Sequence, residues 1–230
     1  AEAVIARGGR IETQVRVREI TLNNGQLGQV RTHSGIEEFD GVIAAIATPS
    51  FARLIPGADK VYLQQLGREK YLGLICPVLV LDRPLSNHWT LNVMDTNSPF
   101  SSIIELPHTE FSGYHVVYLP RYTASDNDWM GVSDDDIRAA WLSHLKQIFT
   151  DFDERHIRCF AVSRSRYVEP VYSIHAAEKA VPVETPYPGL YLANTGQVYP
   201  ELPSSEAVVA HAEQVAAHVQ QRASVIGIPA

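Results

Sequence analysis

Residues 1–7 predict the end of a helix that Gly8 and Gly9 terminate, and residues 10–39 then alternate between apolar and polar positions, in the pattern of strands that bury one face. Residues 10–20 predict a first strand, because Ile11, Thr13, Val15 and Val17 face one side while Arg16 and Arg18 face the other. The Asn-Asn-Gly sequence at 23–25 predicts a tight turn, and residues 29–32 predict the returning strand. A third short strand would end at Phe39. We therefore expect a β-meander at the start of the chain.

Two short apolar runs, far apart in the chain, are each followed by a loop and a helix. Residues 42–47 are almost continuously apolar and lead through a Thr-Pro pair into a predicted helix over 51–54. Residues 190–193 form the second run, and a polar loop follows before an Ala/Val-rich helix that Ser204 begins. Strands of parallel sheets, buried on both faces, have this composition. Ligands of α/β proteins bind at the carboxyl ends of such strands, so we expect the two ends to converge.

Between these runs, the sequence predicts a sheet with one helix packed on it. Four strands are predicted, over residues 71–81, 88–94, 102–106 and 114–119. Ser133 is placed to cap a helix whose first turn is Asp134, Asp135 and Asp136, and whose apolar residues share one face. A later strand over residues 155–163 would extend towards Tyr172, followed by a Pro-rich connection at 182–188.

The composition limits the class of function. The 230 residues contain 45% hydrophobic residues and carry a net charge of -7, which is spread along the chain. We therefore expect a globular protein that binds neither nucleic acid nor an acidic membrane surface. The longest apolar run contains Pro77 and is too short for a transmembrane segment. Cys76 and Cys159 are read as two buried free thiols, which favours a reducing, cytoplasmic location.

At this point the chain resembles a known family. GGRIETQVRVREI, then a hairpin, then FDGVIAAIATPSFARLI resembles the stretch that precedes the substrate domain in FAD-dependent amine oxidases and protoporphyrinogen oxidase-like flavoproteins. Those proteins end with a strand of the form GLYLAGD, a loop and a helix, and residues 189–207 resemble that ending. Order and spacing both match along nearly the whole chain.

The resemblance implies an α+β fold with α/β elements at both ends. A mixed, largely antiparallel substrate-binding sheet would be flanked by remnants of an FAD-binding Rossmann-like domain. Residues 1–57 would belong to the FAD-binding domain, residues 58–185 to the substrate-binding domain, and residues 186–230 would close the FAD-binding domain. The GxGxxG motif that opens these families is absent from this sequence. We therefore expect the carboxyl-terminal part of a flavoprotein, which would not retain FAD by itself.

By resemblance, two groups of residues would bind the cofactor. Val17 would approach the adenine, and Ala47, Thr48 and Pro49 would lie close to the adenosine. Around the ribityl chain, the pyrophosphate and the flavin, the resemblance places Asn194, Thr195, Gly196, Gln197, Ser204, Ser205, Glu206 and Ala207. The helix that starts there would stabilise negative charge on reduced flavin. An ordinary strand-loop-helix corner without a ligand is the alternative interpretation.

Two features depart from the family. Ala193-Asn194 stands where Gly-Asp is common, which replaces a carboxylate acceptor with a neutral amide. Pro200 and Pro203 also change the entry to the final helix.

The sequence identifies no catalytic side chain and no metal site. Tyr167, Tyr172 and Tyr199 lie near positions where relatives place aromatic residues over the flavin, so they are candidate substrate contacts; an ordinary packing role is the alternative. The three aspartates fit a helix start better than a cation site. Surface or packing roles are expected for the isolated histidines His88, His108, His115, His144 and His175.

The sequence therefore predicts part of an FAD-dependent oxidoreductase that oxidises a C–N or C–C bond of a small-molecule substrate by hydride transfer. A binding domain that has lost FAD, or a flavin-dependent mutase or isomerase, remains as an alternative. The substrate, the electron acceptor and whether the protein forms a homo-oligomer stay open.

Overall fold

A computed structural model describes residues 1–106 and 113–226. The chain is an α+β protein with three sheets. The helices are α1 (Glu2–Ile5), α2 (Thr48–Leu54), α3 (Lys60–Leu66), α4 (Asp134–Ile148), α5 (Ala176–Lys179) and α6 (Ser205–Ile226). The strands are β1 (Val17–Asn23), β2 (Gln26–Thr32), β3 (Ile36–Glu38), β4 (Val42–Ala44), β5 (Lys70–Leu81), β6 (Thr90–Asn92), β7 (Ser102–Leu106), β8 (His115–Tyr118), β9 (Arg121–Ala124), β10 (Ile157–Val171) and β11 (Leu190–Leu192).

The chain divides into two compact units. The split unit consists of Ala1–Lys70 and Tyr172–Ala230, and the inserted unit is Tyr71–Val171. The functional boundaries expected from the sequence, after residues 57 and 185, stay predictions. In the part of the chain that the structure describes, no helix is long and apolar enough to cross a membrane.

The split unit begins with the predicted β-meander, β1-β2-β3. Asn24 and Gly25 form its first turn with φ of 51° and 75°. Two successive residues at positive φ are typical of a type I′ turn, whose twist matches that of the flanking strands. The predicted first strand is too long, because residues 10–16 lie outside any strand and β1 begins at Val17. Gln14, at φ 61°, interrupts the extended backbone there.

A two-stranded parallel sheet joins the two segments of the split unit. β4 pairs with β11 in the register Val42↔Leu190, Ile43↔Tyr191, Ala44↔Leu192. Gly189, at φ +87°, directs its carbonyl to the Val42 N–H at 2.8 Å. A Cβ atom on Gly189 would lie 3.2 Å from the Asp40 carbonyl oxygen, so this approach favours glycine. A core of fully or almost fully buried residues surrounds the pair, including Phe51, Ile55, Leu66, Leu190 and Leu192.

The sequence missed α3 and misplaced the start of α2. Asp59 caps α3 by accepting a hydrogen bond from the Val61 N–H at 2.8 Å, and Tyr62 and Leu66 are buried. Four residues separate the two buried positions, so the signal was present but short. α2 begins at Thr48, three residues earlier than predicted, because β4 ends at Ala44.

The inserted unit is a six-stranded sheet covered by α4. Its strand order is β10-β5-β8-β7-β6, with β9 also paired to β5. β9 was not predicted. The predicted cap is confirmed: Ser133 Oγ accepts a hydrogen bond from the Asp136 N–H at 3.1 Å. The apolar face of α4 is buried through Ile137, Trp141 and Leu145, and the indole N–H of Trp141 donates to the Leu119 carbonyl at 3.0 Å.

The structure tests the expected burial of the two cysteines and the expected packing role of His144. Cys76 is buried, but Cys159 is exposed, so the prediction of two buried thiols is wrong for Cys159. Its stretch of β10 is apolar in sequence, yet that side chain is not covered by any described residue. His144 is buried edge-on against Phe100, with ring centroids 5.5 Å apart, which fits a packing role. His108 lies outside the described residues.

Two neighbouring tyrosines of the split unit test the cost of burying a hydroxyl. The Tyr62 side chain is buried, its hydroxyl has no partner among the described residues, and burial raises the pKa of Tyr62 to about 12. The Tyr187 hydroxyl accepts the Asp59 N–H at 2.6 Å. We expect Tyr62→Phe to increase the free energy of unfolding by about 1 kcal/mol, because the orphaned hydroxyl is removed. Tyr187→Phe should decrease it by about 1 kcal/mol, because the Asp59 N–H loses its partner.

Urea unfolding of the 230-residue chain measures both changes. A loss of stability in Tyr62→Phe would contradict the assignment of an unpaired hydroxyl.

Candidate functional site

The carboxyl ends of β4 and β11 meet at one edge of the parallel sheet. The Ala193 N–H donates to the Ala44 carbonyl at 3.1 Å, which continues the pairing beyond the last strand residue. The chain leaves β4 for α2 and leaves β11 for a 3₁₀ turn over Thr195–Gln197. Ala47, Thr48 and Pro49, which the sequence assigned to the first edge, therefore lie close to Asn194 on the second.

The Asn194 carboxamide connects the two strand ends. Its Nδ2 donates to the Ile46 carbonyl at 3.2 Å and to Thr48 Oγ1 at 2.9 Å. Its Oδ1 accepts the Gly196 N–H at 2.9 Å. Both donor hydrogens of the amide are thus engaged within the protein. Thr48 is fully buried at the start of α2.

Gln197 holds the same loop from its other end. Its Nε2 donates to the carbonyls of Val181 and Leu192 at 3.0 and 3.1 Å, and its Oε1 accepts the Asn194 N–H at 2.9 Å. The side chains of Asn194 and Gln197 thereby form a reciprocal capping box.

His211 on α6 completes this network, and sequence reasoning missed it. Its Nε2 lies 3.1 Å from Gln197 Oε1. Burial lowers the pKa of His211, which favours the neutral ring. Because an amide oxygen can only accept, the neutral ring must carry its proton on Nε2. No spacing in the sequence links residues 197 and 211, so only the fold reveals this contact.

Thr195 differs from its neighbours in this loop. Its peptide N–H and its hydroxyl make no hydrogen bond to any residue that the structure describes, while its carbonyl accepts the Tyr172 hydroxyl at 3.1 Å. The rings of Tyr172 and Tyr199 pack with centroids 4.9 Å apart, and Tyr199 is 41% exposed. The structure therefore brings two of the three predicted aromatic residues to this loop.

The start of α6 provides further donors. Ser204 Oγ accepts the Ala207 N–H at 3.2 Å, and the Ser204 carbonyl accepts the Val208 N–H at 3.0 Å. The N–H groups of Ser205 and Glu206 have no partner within the described ranges, as is usual in the first turn of a helix. Ala207 is buried, and the Glu206 side chain is exposed.

The other two predicted residues, Val17 and Tyr167, belong to other elements of the fold. Val17 begins β1, opposite Thr32, and is 37% exposed. Tyr167 lies on β10 of the inserted unit, where it packs edge-on against Tyr71 at 5.8 Å.

The parallel sheet has one closed and one open side. The outer side of β11 is covered, since the Leu192 N–H donates to the Val183 carbonyl at 2.9 Å and the Thr185 N–H to the Leu190 carbonyl at 3.3 Å. In parallel pairing, alternate residues of a strand bond to opposite sides. Val42 and Ala44 bond to β11, so the peptide groups of Ile43 point away from it, and no described residue bonds to them. The Ile43 side chain is 45% exposed.

Comparison with known proteins places the chain among flavoproteins. A 15-cis-phytoene desaturase from Synechococcus elongatus is 28% identical over 160 residues, which is 64% of this chain and 33% of that protein. A candidate protoporphyrinogen oxidase from Exiguobacterium sp. 255-15 superposes with a TM-score of 0.71 at 18% identity, over 96% of this chain and 49% of that one. Reduced UDP-galactopyranose mutase gives a TM-score of 0.66 at 10% identity, over 97% and 49%.

The chain thus spans about a third of the curated relative and about half of each solved structure. Residues 1–219 match the sequence profile described as flavin containing amine oxidoreductase. With nearly the whole chain matched, the protein belongs to the flavin containing amine oxidoreductase family.

Proposed function

We propose that this chain supplies the substrate-binding unit and one side of the cofactor site of an FAD-dependent oxidoreductase. The reaction would oxidise a C–N or C–C bond of a small molecule by hydride transfer. The observation that carries the proposal is the meeting of the β4 and β11 ends, where Thr195 leaves its N–H and hydroxyl without a described partner at the carboxyl edge of a parallel sheet. This is where α/β folds bind anionic and dinucleotide ligands.

The donor groups of Thr195 and of the start of α6 fit part of an FAD molecule. The N–H and hydroxyl of Thr195 and the N–H groups of Ser205 and Glu206 are neutral donors without protein partners among the described residues. Such donors suit the phosphate oxygens, the ribityl hydroxyls or the N1–O2 side of the flavin. The side chains of Asn194 and Gln197 are already engaged, so these two residues would contribute through the shape of the loop.

The remaining proposed contacts come from the family resemblance. Ala47, Thr48 and Pro49 would lie towards the adenosine, Val17 towards the adenine, and Gly196 and Ala207 would allow close approach of the cofactor. The exposed Glu206 carboxylate is a poor neighbour for an anionic flavin, so its proposed contribution is its peptide N–H.

Bound FAD would supply the hydride acceptor. This chain's residues would position and shield the reactants: the helix start and the Thr195 N–H favour negative charge, and the buried strands exclude water. The Tyr172–Tyr199 pair would form an aromatic wall near the loop, and the family resemblance also assigns Tyr167 to the substrate. Positioning dominates hydride transfer, which accounts for the absence of a recognisable acid or base in the sequence.

A redox-neutral reaction is the second candidate. The fold that this chain shares with UDP-galactopyranose mutase also serves an isomerising enzyme, so a flavin-dependent mutase or isomerase would use the same site. A non-catalytic domain that has lost FAD is the third.

The open side of β4 favours assembly with a further strand. Parallel sheets of two strands are rare on their own, since both faces and edges need cover. We propose that the rest of the FAD-binding domain pairs a strand with β4 through the peptide groups of Ile43. The complete nucleotide site would then include contacts that this chain does not provide.

FAD binding tests the proposal directly. We expect the protein from the complete natural reading frame to purify with flavin in about 1:1 ratio. The 230-residue chain alone should bind FAD at least about 100-fold more weakly, because most pyrophosphate and adenosine contacts would be missing. Flavin fluorescence titration measures both. A complete protein without flavin would favour the binding-domain alternative, and tight binding by the 230-residue chain would exclude the need for a second part.

Substrate oxidation separates the first two candidates. Anaerobic addition of amine, polyene or tetrapyrrole-type compounds to the flavin-loaded protein should bleach the visible flavin band for an oxidoreductase. Product formation with no net bleaching and no electron acceptor would favour the isomerase.

Ile43→Pro tests the proposed strand pairing. Proline removes the N–H that points away from β11 and leaves the β4–β11 hydrogen bonds their donors. We expect the variant chain to unfold within about 1 kcal/mol of the original, while the complete protein loses at least about 10-fold in FAD affinity. Ile43→Val is the matched control, since it keeps the N–H. Unchanged flavin affinity in Ile43→Pro would contradict the pairing.

A further inference from the structure

We propose that Asn194 is a positioning residue whose side-chain NH₂ group clamps the β4 end to the β11 end and donates no hydrogen bond to the ligand. The identity of the ligand that the clamped loop would contact rests on the proposed function. The proposed clamp gives the amide a role opposite to that expected from the sequence, where Asn194 replaced a carboxylate ligand.

The geometry leaves the amide no donor for a ligand. One hydrogen of Nδ2 goes to the Ile46 carbonyl at 3.2 Å and the other to Thr48 Oγ1 at 2.9 Å. Oδ1 accepts the Gly196 N–H at 2.9 Å. Ile46 and Thr48 are separated from Asn194 by 148 and 146 residues in sequence, so these bonds join the two segments of the split unit.

The Ile46 carbonyl requires a hydrogen-bond donor at this position. A carboxylate could accept hydrogen bonds from the Gly196 N–H and from the Thr48 hydroxyl, but it could not donate to the Ile46 carbonyl. It would instead place an anionic oxygen about 3 Å from a carbonyl oxygen in a half-buried site. Only the protonated acid could restore a donor. An introduced aspartate should therefore have a pKa above its ordinary value in the folded protein.

The clamp determines where Thr195 lies. Asn194 precedes Thr195, whose free N–H and hydroxyl are the proposed ligand contacts, and the Gly196 N–H on its other side is fixed by the same amide. Gln197 still holds the Asn194 N–H in any side-chain variant, so loss of the clamp should be local.

Stability at two pH values provides the test, in the 230-residue chain without FAD. We expect Asn194→Asp to raise the unfolding equilibrium constant about 10-fold at pH 8, which corresponds to the loss of one buried hydrogen bond with added repulsion. A folded pKa above the unfolded one means that the acid form stabilises the fold at low pH and that this contribution is lost as pH rises. The deficit should therefore shrink to about 3-fold or less at pH 4, near the pKa of about 3.9 of an unperturbed aspartate.

Asn194→Ala is the matched control, because it removes all three bonds and adds no titrating group. It should be destabilised by a similar factor at both pH values. Among the described residues, the titratable side chains that hydrogen-bond to residues 194–197 are those of His211 and Tyr172, and Tyr199 packs against Tyr172; all three are present in every variant. The difference between the Asp and Ala variants at each pH therefore isolates the new carboxyl group.

A double-mutant cycle keeps the test valid should Asn194→Asp not fold. Thr48→Val removes only the hydroxyl, and we expect Asn194→Ala and Thr48→Val to be non-additive by a factor of about 3 to 10 in the unfolding constant. Additive effects would overturn the clamp. So would an Asn194→Asp chain that matches the original at both pH values, which would leave ligand contact as the role of Asn194. Absence of flavin from the complete protein would refute the proposed function without affecting these measurements.

Discussion

The parallel pairing of β4 with β11 is the constraint on which the split unit depends. Three residues on each strand bring together segments that are almost 150 positions apart, with the whole inserted unit between them. Closing so long a loop costs entropy that grows only with the logarithm of its length. Burial of Leu190, Leu192, Phe51 and Ile55 against the pair opposes that cost, since a fully buried side chain of this size contributes about 1.5–3 kcal/mol. The candidate site exists only because this pairing places two loops at one edge.

At that edge, polar groups separate into two classes. The side-chain amides of Asn194 and Gln197 are engaged by the protein, and they donate to the backbone carbonyls of three residues, Ile46, Val181 and Leu192. The donors without described partners are the peptide N–H and the hydroxyl of Thr195. Backbone donors held by an internal network need no reorganisation when a ligand arrives. A loop built in this way can be rigid in the absence of its ligand and still present donors to it.

The core of the inserted unit, unlike that of the split unit, forms within one continuous segment of the chain. α4 carries its own cap at Ser133 and its own apolar face, and Trp141 both fills the core and satisfies the Leu119 carbonyl. These features are local in sequence, so helix periodicity and cap chemistry predicted them. Short elements were harder to predict: β9 has four residues, and residues 10–16 alternate like a strand but have no partner strand. Alternation of polar and apolar residues indicates the direction of each side chain. It does not indicate whether a neighbouring strand is present to form backbone hydrogen bonds.

The sequence by itself determined the family, the α+β class, the tight turn of the first hairpin and the capped helix α4, because each depends on residues close together in the chain or on an ordered set of motifs. It also placed Asn194 at the site, by position. Only the tertiary structure showed which groups Asn194 contacts, because its partners Ile46 and Thr48 lie on a distant segment. From the sequence, a neutral amide at this position is equally compatible with binding the cofactor and with holding the two strand ends together. The contact of His211, the open side of β4 and the free groups of Thr195 likewise follow only from the tertiary structure. Whether a hydrogen-bond donor is paired or remains available to a ligand depends on its neighbours in space, and no local sequence pattern encodes those neighbours.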